Sequence, residues 1–164
     1  MATQSTRGLR TIAFFVTLPV ILALGVVLVP LVAPLYLLYR LLLRIAVEIA
    51  WGRHGRRILL VYSRSPVWQK HVEREWIPHV GNHAVVLDWS DRATWKAQRS
   101  LAVRVFEHWR PQEDFNPMAI LFPRFRPVRR IGFYYAFRDW KHGKERTLID
   151  REAQLFAFLR QLQR

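Results

Sequence analysis

A membrane-anchored α/β architecture is what this sequence predicts: an N-terminal transmembrane helix, an amphipathic helix, then a small three-layer α/β domain. Three observations carry the prediction. Thr11 to Tyr39 is a run of 29 residues without a charged side chain. After it, short apolar runs alternate with segments of helical periodicity, in the order β-α-β-α-β-β-α. Lys and Arg number 26 against 12 Asp and Glu, an excess that calls for a polyanionic neighbour, either an anionic leaflet or nucleic acid. Linked to an apolar span, that charge favours the leaflet.

The uncharged run is long enough to cross a bilayer, whose hydrocarbon core of about 30 Å takes roughly 20 helical residues. The chain then divides into a tail over residues 1–10, an anchor over 11–34, an amphipathic helix over 35–51, a basic linker over 52–57, expected to be flexible through its glycines, and a soluble domain over 58–164. Pro19, Pro30 and Pro34 are tolerated in a membrane helix, and a kink or an end is expected near Pro34. Beyond it, Arg40, Arg44 and Glu48 fall at i, i+4 and i+8 on an otherwise apolar helix, a pattern suited to the interface with the arginines at the phosphates. The rival topology is a hairpin, in over Thr11 to Val29 and back over Leu35 to Trp51, which would carry Arg44 near mid-membrane at roughly 2.5–3.5 kcal/mol. A cleavable leader ending at Ala23-Leu24-Gly25 is the other alternative, but the apolar run continues through that point. Arg7 and Arg10 precede the span, whereas Arg40, Arg44, Arg53, Arg56 and Arg57 follow it. The excess on the carboxyl side puts the C-terminal domain in the cytoplasm.

In the domain, Ile58-Leu59-Leu60-Val61-Tyr62 reads as a strand buried on both faces. Ser65 can cap the next helix with Pro66 in its first turn, and Trp68, Val72 and Trp76 then share one side until Pro78 and Gly81 close it. His83 to Trp89 is a second strand, and Ser90-Asp91 opens a helix or helix pair to Trp109. This alternation argues for parallel pairing of the first two strands. Met118 to Phe122 and Val128 to Phe137 are two further strands, joined by Arg124-Phe125-Arg126-Pro127 too closely for a crossover, hence antiparallel. A last helix runs from about Leu148 to Leu162, burying Leu148, Leu155, Phe158, Leu159 and Leu162.

This order, over about 107 residues, resembles the thioredoxin fold, and Asn116-Pro117-Met118-Ala119-Ile120-Leu121-Phe122 is similar to that family's proline leading into its third core strand. The resemblance implies a cis bond before Pro117. Where the family carries its two redox cysteines, this chain has Val67-Trp68-Gln69-Lys70, and it contains no cysteine at all. Dithiol exchange, disulfides and Cys-based zinc are therefore excluded. A Rossmann-like domain is the alternative fold.

Candidate ligand-binding residues gather after the first strand, since α/β folds place ligands at the carboxyl ends of parallel strands and anions at helix N-termini. They are Ser63, Arg64, Ser65 and Trp68, with Asp88 from the neighbouring strand and Pro117 from the resemblance; Ser90 and Asp91 stand beside them. The same residues also make ordinary caps and turns. A membrane-facing set comprises Arg40, Arg44, Arg53, Arg56, Arg57, Arg124, Arg126, Arg129 and Arg130. Basic residues interleaved with Phe125 could hold single-stranded nucleic acid, a weaker reading for a tethered domain. The six histidines show no metal-ligand spacing on one helix face, and neither a metal, a cofactor nor a catalytic set is expected. The functional expectation is a non-catalytic domain binding a protein or peptide partner beside the inner leaflet, with anionic lipid as a second partner. The alternative is an enzyme or sensor for a phosphorylated or nucleotide ligand at the loop after the first strand.

Overall fold

The computed structural model describes residues 5–112 and 116–163. Residues 1–4 of the expected tail lie outside them, as do the side chains of residues 5–25, which include Pro19 and Ala23-Leu24-Gly25. Two compact units are formed, Met1–Leu43 and Arg44–Arg164.

The first unit is built on α1 (Ser5–Ala50), whose last two turns belong to the second unit. The helix runs unbroken past Pro30 and Pro34, so the end expected near Pro34 does not occur, and the reversal that a hairpin needs between Val29 and Leu35 is not formed. Each proline removes one i→i−4 bond, a loss the remaining ladder of a long apolar helix absorbs. Residues Leu28–His54 are long and apolar enough to cross a membrane.

The second unit is a mixed α/β domain around a four-stranded sheet in the order β2-β1-β3-β4. β1 (Ile58–Tyr62) pairs in parallel with β2 (Ala84–Asp88), Leu60 opposite Val86, and antiparallel with β3 (Met118–Leu121), Leu60 opposite Ala119. β3 pairs antiparallel with β4 (Arg129–Gly132), Ala119 opposite Ile131. The antiparallel β1–β3 pair departs from the all-parallel sheet of the Rossmann-like alternative. All five residues of β1 are buried, as its unbroken apolar run requires of a strand covered on both faces.

Between β1 and β2 runs α2, residues 69–80, in which a π-helical stretch Val72–Trp76 is flanked by α-helical turns Gln69–His71 and Ile77–Val80. Pro78 does not end it, because a proline at the start of the last α-helical segment needs no N–H. Two helices then follow, α3 (Arg92–Gln98) and α4 (Leu101–Trp109), the second capped by Ser100 accepting from the Val103 N–H at 3.3 Å. α2 and the closing helix α6 (Arg146–Leu162) cover one face of the sheet, where Val72, Trp76, Leu155 and Phe158 join Ile58, Leu60, Ala119 and Leu121 in one apolar cluster. Strand alternation turns Leu59, Val61 and Ile120 to the opposite face, where the Trp109 ring meets Phe122 edge-on at 5.5 Å.

Two expectations are corrected. Val128 to Phe137 is not one strand: β4 stops at Gly132 and Tyr134–Lys141 forms a helix, α5. The residues that alternate as a strand would also recur as a helix. Phe133, Ala136 and Phe137, at i, i+3 and i+4, are the buried ones, at 0, 2 and 0 % exposure, while Tyr135 is exposed. Burial thus selects the helical period. The basic linker is also folded rather than flexible. Gly52–His54 is a 3₁₀ turn, Gly55 takes φ 72°, and Arg57 joins the sheet, donating to the His83 carbonyl and accepting from the Phe122 N–H, each at 2.9 Å.

Candidate functional site

The loop after β1 is held together from within. The Arg64 guanidinium reaches Asp88 Oδ2 through Nε at 2.8 Å and both Asp91 oxygens through Nη2 at 2.8 and 2.7 Å. The backbone N–H of Arg64 donates to Ser90 Oγ at 2.9 Å, and Asp88 Oδ1 accepts from the Ser90 N–H at 2.8 Å, capping the 3₁₀ turn Trp89–Asp91. Asp88, then Asp91, raises the Arg64 pKa above its ordinary value. Ser65 closes its own turn, its Oγ 3.4 Å from the Val67 N–H, and Trp68 donates its indole hydrogen to the Ser63 carbonyl at 3.1 Å. One cation thus serves two carboxylates, leaving a local charge of about −1 where an anion would sit.

Pro117 is buried, its bond to Asn116 is cis, and its carbonyl accepts from the Phe133 N–H at 2.8 Å. Next to the loop, the Tyr62 hydroxyl donates to Glu73 Oε1 at 3.2 Å. Burial, reinforced by the Glu73 charge, pushes its pKa up to about 12.

A second site lies between α2 and α6, in a cleft of about 540 Å³ lined by His71, Glu75, His79, Glu152, Phe156 and Arg160, among others. Glu152 Oε1 accepts two hydrogen bonds, from the Trp76 indole N–H at 2.7 Å and from His71 Nε2 at 2.6 Å. Since a carboxylate only accepts, the Nε2 of His71 must carry the hydrogen. His71 and Trp76 are five residues apart, a spacing that diverges on an α-helix; the π-helical stretch between them widens the turn and brings both to one acceptor. Aromatic rings of Phe137 and Trp140 surround His71 at 5.4 and 5.8 Å. The floor is apolar, from Phe156 and Leu159, and its rim carries the Glu75 and Arg160 charges.

This cleft was not singled out from the sequence. Glu152 is 81 positions from His71, beyond any local pattern. The available signal was the stripe His71, Glu75, His79 at i, i+4, i+8, cut short by placing the helix end at Pro78. No group of His, Asp and Glu able to hold a metal ion occurs among the described residues.

The arginines expected to face a membrane divide in two. Arg57 has a side chain only 11 % exposed and forks onto Glu48, its Nη1 2.8 Å from Oε2. Arg44 donates to the Pro123 carbonyl and lies over the Phe122 ring at 6.0 Å. Arg130 turns to the Trp109 carbonyl at 3.2 Å. These three serve the domain's own structure. Arg40, Arg53, Arg56, Arg124, Arg126 and Arg129 are exposed, and the last three share a second cleft described below.

The fold and these sites define an α/β domain joined to a helix apolar enough to cross a membrane. No family model, curated protein or solved structure matches the chain.

Proposed function

We propose that this chain is a membrane-anchored protein whose C-terminal domain, thioredoxin-like in topology and without redox chemistry, sits on the cytoplasmic side and binds a segment of a protein partner. The sheet order β2-β1-β3-β4 with β3 and β4 antiparallel supports the topological resemblance. The arginines after the uncharged run support the orientation. The observation that carries the binding reading is the cleft between α2 and α6, lined by an apolar floor of Phe156 and Leu159 together with the Glu75 and Glu152 carboxyls. That chemistry suits a peptide segment placing an apolar side chain on the floor and a Lys or Arg against the carboxylates. The loop after β1 supports the phosphorylated-ligand reading less, because a phosphate would have to displace Asp88 and Asp91 from Arg64.

Crosslinking and capture of the full-length protein in native membranes tests this, comparing wild type with Glu75→Lys/Arg160→Glu and with Arg64→Ala. A defined partner lost only with the double reversal is the expected result. Loss with Arg64→Ala and retention with the reversal would transfer function to the loop after β1. Because the chain has no cysteine, maleimide labelling of Lys144→Cys in intact and permeabilised cells reads the orientation directly.

A further inference from the structure

We infer that the β3–β4 turn and the C-terminal end of α6 form a docking site for the headgroup of an anionic phospholipid, with Phe125 as the side chain that inserts beside it. The inference rests on the membrane-anchored reading above but not on the partner-binding cleft.

A cleft of about 570 Å³ is lined by Arg124, Arg126 and Arg129 on one side and by Phe158 and Leu162 on the other. Three exposed guanidiniums meet an apolar wall, the pairing that a phosphate attached to an acyl chain presents and a free phosphate does not. Arg57 also lines the cleft, but Glu48 already occupies its fork, so the net charge facing the space comes from the other three. The carbonyl end of α6 opposes an anion weakly; three guanidiniums outweigh it.

Position names the source. The turn's root is tied to α1, because Arg44 donates to the Pro123 carbonyl. Arg44 follows Tyr39, the last residue of the uncharged run, by five positions in the sequence. At the tip, between Arg124 and Arg126, Phe125 is 93 % exposed at φ 59°, a left-handed conformation uncommon for a bulky residue. Among the described residues, the Arg124 guanidinium stacks on its ring at 5.4 Å. An aromatic ring held out of a domain and ringed by arginines matches the headgroup–acyl boundary, where the ring is buried and the cations meet phosphates.

The test uses the full chain, cysteine-free by nature, reconstituted into nanodiscs with an environment-sensitive label at Phe125→Cys or, as a distal control, at Lys144→Cys. In discs containing phosphatidylglycerol, the label at position 125 is shielded from acrylamide and the control is not. Phosphatidylcholine discs or high salt remove the shielding. Arg124→Gln/Arg126→Gln/Arg129→Gln shifts the docking equilibrium by roughly two orders of magnitude, since each arginine near an anionic surface contributes about 1 kcal/mol. Equal quenching at the two positions in phosphatidylglycerol discs would overturn the inference, as would equal shielding by inorganic phosphate in neutral micelles. Carbonate extraction of the chain from native membranes would instead sink the membrane-anchored reading.

Discussion

Replacing Glu152 of α6 by alanine removes the acceptor shared by two side chains of α2. The Trp76 side chain is fully buried at 0 % exposure, and its indole N–H has Glu152 Oε1 at 2.7 Å as its partner. Orphaning a buried donor costs about 1–3 kcal/mol, and the bond from His71 adds about 0.5–1.5 kcal/mol. Urea unfolding of the full-length protein in detergent, followed by near-UV circular dichroism, should therefore show a loss of about 2–4 kcal/mol. Glu152→Gln keeps a carbonyl oxygen in reach and should lose distinctly less. In a Trp76→Phe background the indole donor is already gone, so Glu152→Ala should cost less than in wild type, and the double-mutant cycle should give a coupling of about 1 kcal/mol or more. A coupling near zero would refute the hydrogen-bond account and leave Glu152 as a surface carboxylate.

Phe137→Ala should destabilise by about 3–5 kcal/mol in the same assay, because the ring is fully buried against Trp76 and His71 at 5.6 and 5.4 Å; a loss below about 1 kcal/mol would contradict the helical assignment of α5. Gly52→Ala would set a Cβ 2.9 Å from the Glu48 carboxyl, so it should mimic Glu48→Gln, each costing about 1 kcal/mol for a fork whose Glu48 side chain is 45 % exposed, and the two should not add. Arg64→Ala should lower the melting temperature slightly, by an amount that high salt erases, since the clamp is solvent-exposed; a large salt-independent drop would contradict this. Tyr62 should ionise near pH 12 by absorbance. Its folded pKa lies above the unfolded value of about 10; the folded state then holds the proton longer, so the Tyr62 contribution to stability is constant below about pH 10 and is lost as pH rises toward 12. Glu73→Gln should move that ionisation down, though not fully, because burial remains the larger cause.

Local chemistry made much of the fold legible. β1 falls where the unbroken Ile58–Tyr62 run places it, because only a doubly covered strand favours five successive apolar residues. The parallel β1–β2 pair and the antiparallel turn at Arg124–Pro127 follow from connection length. The uncharged run yields a helix long enough to cross a membrane for the same kind of reason, composition and length alone. Where two periods fitted one stretch, as over residues 128–137, local pattern could not choose; the sheet's need to bury Phe133 and Phe137 on one side did. Arg57 and Arg44 show the limit for charge. By sequence they belong to one basic collar with Arg53 and Arg56, yet Glu48 and the Pro123 carbonyl claim them, partners that only folding brings near. The sites divide on the same principle. Ser63, Arg64, Ser65 and Asp88 could be gathered by a rule about strand ends, but whether Arg64 waited for an anion or was spent on Asp88 and Asp91 depended on distances of under 3 Å between chain segments 24 and 27 residues apart. Glu152 meeting His71 and Trp76 was beyond any such rule, because helix packing, not sequence proximity, sets which side chains share a proton acceptor.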